Sequence, residues 1–178
     1  SWPLAYWPDG SLKWTGHAFS AESEISGNLQ LSTGTGPAPT TPISVEETEE
    51  FIEIDTGPLQ CRIAKQGAFF IDTIRIGDRV VAQDGKLIAI LEDRSAYDDQ
   101  GIIREEIFVS RIQSVAVEQS GPVRAVVKIE GMHQSESSER SWLPFTLRLY
   151  LYADLESVRL VHTFIYDGEA EQDFIKGL

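Results

Sequence analysis

Apolar and polar side chains alternate with a period of two residues through most of this chain, and this alternation limits the fold more than any other feature. In residues 145–152, FTLRLYLY, one face carries Phe and Leu side chains, and the other carries Thr, Arg and Tyr. Residues 123–131, VRAVVKIEG, alternate in the same way. Such a period is typical of a β-strand with one buried face. Comparable runs, each predicted as a strand, cover residues 12–18, 29–32, 51–55, 59–64, 69–76, 87–91, 112–118 and 157–166.

Turn-forming residues separate these runs. Glycine, proline and aspartate are found where a positive φ or a fixed proline φ reverses the chain, at residues 55–58, 77–78, 84–85, 120–122 and 167–168. Short strands with frequent turns indicate an antiparallel sheet protein, and no segment keeps a helical period over several turns. We therefore predict an all-β fold, an antiparallel barrel or sandwich with little helix, as one domain over residues 1–178.

The charge balance argues against two classes of binding partner. The 178 residues include 28 acidic and 15 basic side chains, which gives a net charge of −13. Nucleic-acid binding and adsorption to anionic lipid both rely on basic patches, so neither partner is expected. No apolar run approaches the length of about 20 residues that spans a bilayer. Cys61, the only cysteine, lies between apolar neighbours and is predicted to be a small buried side chain. The compartment stays open, with an extracellular or periplasmic one favoured over the cytoplasm.

Two stretches interrupt the alternation. Residues 32–42, STGTGPAPTTP, have the composition of a flexible exposed loop. Residues 133–142, HQSESSERSW, are predicted to be a long polar loop, either mobile or functional. His133, Arg140 and Trp142 belong to this loop or its edge and are candidate contacts for a sugar acid, because arginine pairs with a carboxylate and an indole stacks on a pyranose. The alternative, which is commoner, is a solvated loop with Trp142 tucked back as an anchor.

The stretch AYWPDGSLKW, residues 5–14, offers a second pair of candidates, Trp7 and Trp14. Aromatic side chains that flank a polar turn can form a sugar-stacking platform, or they can be the buried ends of a hairpin. The sequence Pro-Asp-Gly between them is most simply a turn that leads into a strand. Leu12 and Trp14 would then face inward and Lys13 outward. We expect the inward arrangement and keep the sugar platform as the alternative.

No catalytic constellation stands out in the sequence. It contains no phosphate-binding glycine loop, CxxC, HExxH or GxSxG motif. The three histidines are far apart, and His162, among apolar same-face neighbours, is expected to be a hydrogen-bonded core residue. Adjacent carboxylates at 98–99 and 105–106 point to opposite faces of a strand, so neither doublet is a catalytic pair. We predict no catalytic residue, no metal site and no cofactor.

Several stretches taken together resemble the N-terminal RIFT-barrel domain of the exo-rhamnogalacturonan lyase-like family of polysaccharide-degrading proteins. The resemblance covers nearly the whole chain. It is carried by YWPDGSLKW, TGPLQCRIAKQGAFFIDTIRIGDRVV, GPVRAVVKIEGMH, WLPFTLRLYLYADLESVRLVHTFIYDG and DFIKGL, in that order.

The resemblance implies a domain organisation rather than a catalytic site. In that family an N-terminal β-domain precedes a large α/α-toroid domain, which holds the lyase chemistry, and a further β-domain. Nothing in this sequence resembles the toroid. The chain is therefore expected to be the N-terminal part of a larger protein, and no catalytic residue is transferred to it.

The leading hypothesis is a non-catalytic β-domain of a polysaccharide lyase that packs against the catalytic α/α-toroid domain and lends a loop to the cleft for a polysaccharide or oligosaccharide. One alternative is a free-standing carbohydrate-binding module that uses Trp142, Arg140, Trp7 or Trp14. The other is a structural or assembly domain with an exposed strand edge.

Overall fold

The computed structural model describes residues 1–18, 30, 34, 41–94, 101 and 103–178. Within these residues the chain forms β-strands and no helix, and every strand pair is antiparallel. The strands make a two-stranded ribbon, a five-stranded sheet and a six-stranded sheet. The prediction of an all-β antiparallel fold is confirmed. The described part contains no helix long and apolar enough to cross a membrane.

The ribbon and the five-stranded sheet come first along the chain. The ribbon pairs β1 (Trp2–Tyr6) with β2 (Leu12–Gly16). The five-stranded sheet is a meander in which each strand pairs with the next in sequence. Its strands are β3 (Ser44–Glu47), β4 (Phe51–Asp55), β5 (Leu59–Ala64), β6 (Ile71–Ile76) and β7 (Arg79–Gly85).

The six-stranded sheet has the order β12-β11-β10-β9-β8-β13, so the last strand of the chain returns to pair with β8. The longest pairings join β9 to β10 and β10 to β11. Its strands are β8 (Ile88–Asp93), β9 (Arg104–Ser120), β10 (Arg124–Ser135), β11 (Ser141–Tyr152), β12 (Val158–Phe164) and β13 (Asp173–Gly177).

The two larger sheets bury one apolar core between them. Alternate residues of β4 and β5, such as Ile52, Ile54 and Ile63, pack in one cluster with Val127 and Leu149 from β10 and β11. Burying a side chain of this size contributes about 2 kcal/mol relative to leaving it exposed, so this alternation drives the sandwich. A smaller cluster lies towards one end of the six-stranded sheet and contains Ala89, Leu91, Phe108, Trp142 and Leu143.

Several sequence expectations need correction or fall outside the described residues. The stretch 133–142 is not a ten-residue loop, since β10 continues to Ser135 and β11 begins at Ser141. Four strands were not predicted from the sequence: β1, β3, β7 and β13. The predicted strand at 29–32 and most of the predicted loop at 32–42 lie outside the described residues. The prediction for Cys61 is confirmed, because its thiol is buried and burial raises its pKa to about 12.

Candidate functional site

His133 lies on the inner face of β10 and is fully buried. Its Nδ1 donates a hydrogen bond of 2.7 Å to the backbone carbonyl of Leu143, which leaves the Nε2 atom without a partner among the described residues. The rings of Phe145 and His162 lie 5.0 and 6.1 Å away, centroid to centroid. Burial lowers the pKa of both histidines, and in His133 the bond to Leu143 opposes this shift. In this position His133 is a core residue whose side chain is closed off from the surface.

Arg140 ends the short turn between β10 and β11 and forms an ion pair. Its guanidinium donates a hydrogen bond of 2.6 Å to Oδ2 of Asp173, on β13. The Asp173 side chain is buried and also accepts the backbone N–H of Glu169 at 2.8 Å. The guanidinium that the sequence offered to a sugar carboxylate is therefore engaged by a carboxylate of the chain itself.

Trp142 is the anchor of this end of the sandwich. Only 1% of its surface is exposed, and its ring packs against Phe108 at 5.7 Å and Tyr166 at 6.1 Å between centroids. Gly168 lies so close that a Cβ there would approach Nε1 of the indole to 2.6 Å. With no open ring face, Trp142 has no surface on which a pyranose could stack.

The turn beside these residues is fixed by internal hydrogen bonds. Ser135 N–H donates to the Arg140 carbonyl at 2.9 Å and closes the turn. The Glu106 carboxylate accepts hydrogen bonds from the hydroxyls of Ser135 and Ser138, the latter at 2.8 Å. The structure thus brings His133, Arg140 and Trp142 to one end of the sandwich, where they form a packed and hydrogen-bonded cluster.

Trp7 and Trp14 have the opposite environment: Trp7 lies in the turn that follows β1, Trp14 lies on β2, and they are 51% and 63% exposed. The expectation that Leu12 and Trp14 face inward is wrong: no second sheet within the described residues covers that face, and Leu12 is also exposed. The turn itself forms as expected, since Asp9 accepts hydrogen bonds from the Ser11 N–H and hydroxyl, which lower the Asp9 pKa.

The side chain of Lys13, on β2, contacts the ring of Trp7 in the turn. Its Nζ lies 4.3 Å from the centroid of the Trp7 ring, a cation–π distance. Exposed indoles next to an ammonium group present both an apolar ring and a positive charge. Of the five site residues predicted from the sequence, Trp7 and Trp14 are the two whose rings are open to a ligand.

A groove that was not predicted from the sequence lies on the outer face of the five-stranded sheet. It has a volume of about 380 Å³ and is lined by residues of β3, β4, β5 and β6. Its lining is mostly polar. The feature of the sequence that could have indicated it is the set of polar residues that alternate with the buried ones in β4 and β5. Within the described residues, no group of three His, Cys, Asp or Glu side chains is placed to hold a metal ion.

Two sequence models of known protein domains match this chain. Residues 43–178 match the sequence model of the PcRGLX-like protein central beta sandwich domain, and residues 1–34 match that of the PcRGLX-like N-terminal RIFT barrel domain. The chain belongs to the PcRGLX-like family. This confirms the family resemblance. The larger match, which covers both sheets of the sandwich, is to the central domain, whereas the resemblance drawn from the sequence concerned the RIFT barrel alone.

A curated relative is similar along nearly the whole chain. The uncharacterized protein YetA of Bacillus subtilis (strain 168) is 43% identical over 176 residues. The match covers 99% of this chain but only 20% of YetA. The chain thus spans about a fifth of the length of this relative.

Proposed function

We propose that this chain is a non-catalytic β-domain of a carbohydrate-active protein, a polysaccharide lyase of the rhamnogalacturonan type. In this role it packs against the catalytic α/α-toroid domain and lends a loop to the cleft for a polysaccharide or oligosaccharide. The observation that carries the proposal is the family membership, since both matching sequence models describe β-domains, one of them central.

Two exposed apolar surfaces support a role in packing against another domain. Soluble proteins rarely leave several large apolar side chains together in water unless the surface binds something. One surface is the ribbon, with Leu4, Tyr6, Trp7, Leu12 and Trp14. The other adjoins the edge strand β12 and includes Leu160, Phe164, Ile165 and Tyr166.

A lyase assay tests the proposal, because elimination from a uronic acid leaves an unsaturated product that absorbs ultraviolet light. Rhamnogalacturonan is incubated with the isolated chain and, separately, with the whole of YetA. We expect product from YetA and none from the chain. Turnover by the chain alone would overturn the non-catalytic role, and no product from either protein would contradict the lyase class.

A carbohydrate-binding module is the second candidate, and the exposure of Trp7 and Trp14 favours it. Stacking on exposed indoles would give the isolated chain a measurable affinity for a glycan. Screening the chain on a glycan array, with a Trp7→Ala/Trp14→Ala variant beside it, tests this role. Binding that the double variant loses would support it, and binding by neither protein would remove it.

A further inference from the structure

The groove on the five-stranded sheet is a regular array of polar side chains. Strand pairing aligns outward-facing residues of β3, β4, β5 and β6 in two rows across the sheet. With strands about 4.8 Å apart, four strands give each row a length of about 14 Å. One row is Ser44, Asp55, Gln60 and Arg75, and the other is Glu46, Glu53, Arg62 and Thr73.

The centre of this array is held in place by contacts within the sheet. Arg62 Nε lies 3.2 Å from Glu53 Oε1, and its guanidinium carbon lies 3.7 Å from the centroid of the Phe51 ring. Asp55 accepts hydrogen bonds from the Gly57 N–H at 2.7 Å and from the Gln60 amide at 3.1 Å. Side chains fixed before binding lose little conformational entropy when a ligand arrives, which favours affinity.

The two outer strands of the groove carry charged groups with bonding capacity left over. Glu46, on β3, has no hydrogen-bond or ion-pair partner among the described residues. Among the described residues, the side chain of Arg75, on β6, makes only one hydrogen bond, a long one of 3.4 Å to the Asp78 carbonyl. An acceptor and a multiple donor therefore lie at diagonally opposite corners of the array, one at the end of each row.

The charges of the groove indicate which ligands fit. Three carboxylates, Glu46, Glu53 and Asp55, stand against two guanidinium groups, Arg62 and Arg75. This excess of negative charge, on a chain of net charge −13, opposes an anionic ligand. Sugar hydroxyls both donate and accept hydrogen bonds, so a neutral glycan can use carboxylates and guanidinium groups together.

We propose that this groove binds a neutral oligosaccharide through its two polar rows, with Glu46 and Arg75 as the contacts at the two ends. Its volume of about 380 Å³ falls within the range of roughly 300–1,000 Å³ that is usual for small-ligand pockets. The proposal rests on the proposed carbohydrate role and assigns it a site distinct from Trp7 and Trp14. It also separates neutral glycan binding from the uronate chemistry of a lyase.

Calorimetric titration of the chain with a panel of neutral tetrasaccharides, made of galactose, arabinose, xylose or glucose units, tests this site. We expect binding to at least one of them, and a Glu46→Gln/Arg75→Gln variant should weaken it about tenfold or more. The matched control is Glu118→Gln/Arg148→Gln, which removes an opposite-charge pair from the outer face of the six-stranded sheet. It also leaves the net charge unchanged and should keep full affinity.

Three outcomes would overturn the proposal: no binding to any panel member at millimolar concentration, binding that the groove variant retains, or tighter binding of trigalacturonate than of every neutral sugar. Backbone amide shifts locate the site independently, and they should move in β3–β6 rather than in β1 and β2. Because this titration reads binding by the chain itself, it can fail while the lyase assay succeeds, or succeed while that assay fails.

Discussion

Arg140 and Asp173 form an ion pair whose two ends have different surroundings. The Asp173 side chain is only 6% exposed, whereas that of Arg140 is 38% exposed. A buried carboxylate that loses its cation keeps the cost of desolvation, so the two residues are not equivalent in their effect on stability. In this chain the pair joins the turn after β10 to β13 and closes the end of the sandwich that contains Trp142.

We expect Arg140→Gln to lower the free energy of unfolding by about 2 kcal/mol, because Asp173 would retain little more than the Glu169 N–H as a partner. Urea denaturation measures the change. The matched control is Lys176→Gln, which removes a cation from an exposed pair with Glu105 and should have little effect, as is usual for surface pairs. Equal losses in the two variants would contradict the role of the buried carboxylate.

The paired histidines predict a dependence of stability on pH. The pKa values of His133 and His162 are lowered in the folded state, chiefly by burial. As the pH falls below about 6.5, these histidines take up protons in the unfolded chain before they do so in the folded chain. The free energy of unfolding therefore decreases with falling pH until the pH is below the lowered pKa values of the folded state. Urea denaturation above pH 5, where most carboxylates stay ionised, should show this decline.

The His162→Gln variant should have a shallower decline in unfolding free energy with falling pH than the parent chain. A parent chain whose stability is constant across this range would contradict the assignment.

Among the elements, the strands that the sequence predicted best are those with a clear buried face. The bounds predicted for β4 and β5 are the observed ones, since both strands alternate between core and surface. Strand β7 was not predicted because nearly all of its residues are exposed, and no periodicity marks such an edge strand. The turn of the ribbon was predictable from Pro-Asp-Gly, but the exposure of Trp14 was not, since burial of a strand face depends on whether a second layer covers it.

The ribbon β1–β2 needs a contact with the sandwich, because an isolated two-stranded hairpin is marginally stable in water. Trp2 makes such a contact, since its ring centroid lies 3.7 Å from the guanidinium carbon of Arg124 on β10. Gly16 makes room for the ring, since a Cβ there would overlap the indole. Trp2 thus joins the ribbon to the sandwich, whereas Trp14 is 63% exposed.

We expect Trp2→Ala to speed hydrogen exchange at the amides of β1 and β2 while exchange in β10 and β11 stays slow. The reason is that the variant loses the contact with Arg124 but none of the sandwich core. Trp14→Ala, which removes the same volume from an exposed position, is the control and should leave exchange nearly unchanged. Equal acceleration by both variants would contradict the anchoring role of Trp2.

For the whole molecule, long-range pairing decides which predicted residues can reach a ligand. The sequence placed His133, Arg140 and Trp142 together, and they do lie together. The sequence also offered Trp142 as a tucked-back anchor, which is its observed role. The partners of Trp142 and Arg140 could not be read from it, because Tyr166 and Asp173 come from a later part of the chain. The groove could not be predicted from the sequence either, because its two rows of side chains are aligned by the register of four paired strands.

The net charge of −13 gives a prediction that belongs to the molecule as a whole. Repulsion of an anionic glycan extends over roughly 30 Å at an ionic strength of 0.01 M but only about 8 Å at 0.15 M. Any affinity for trigalacturonate should therefore rise as salt is added over this range. The affinity for a neutral tetrasaccharide, which serves as the control, should stay nearly constant because it carries no charge to be screened.

Titrations at the two ionic strengths measure both dependences on the same protein. Trigalacturonate that binds more tightly at low salt would mean that a local cluster of cations overcomes the overall field, which contradicts the charge argument for the groove. The Arg75→Gln variant extends the comparison. Because it removes a guanidinium from the groove, it should reduce the affinity for trigalacturonate more at low salt than at high salt. A variant that weakens it equally at both would indicate that Arg75 acts through direct hydrogen bonds rather than through the field.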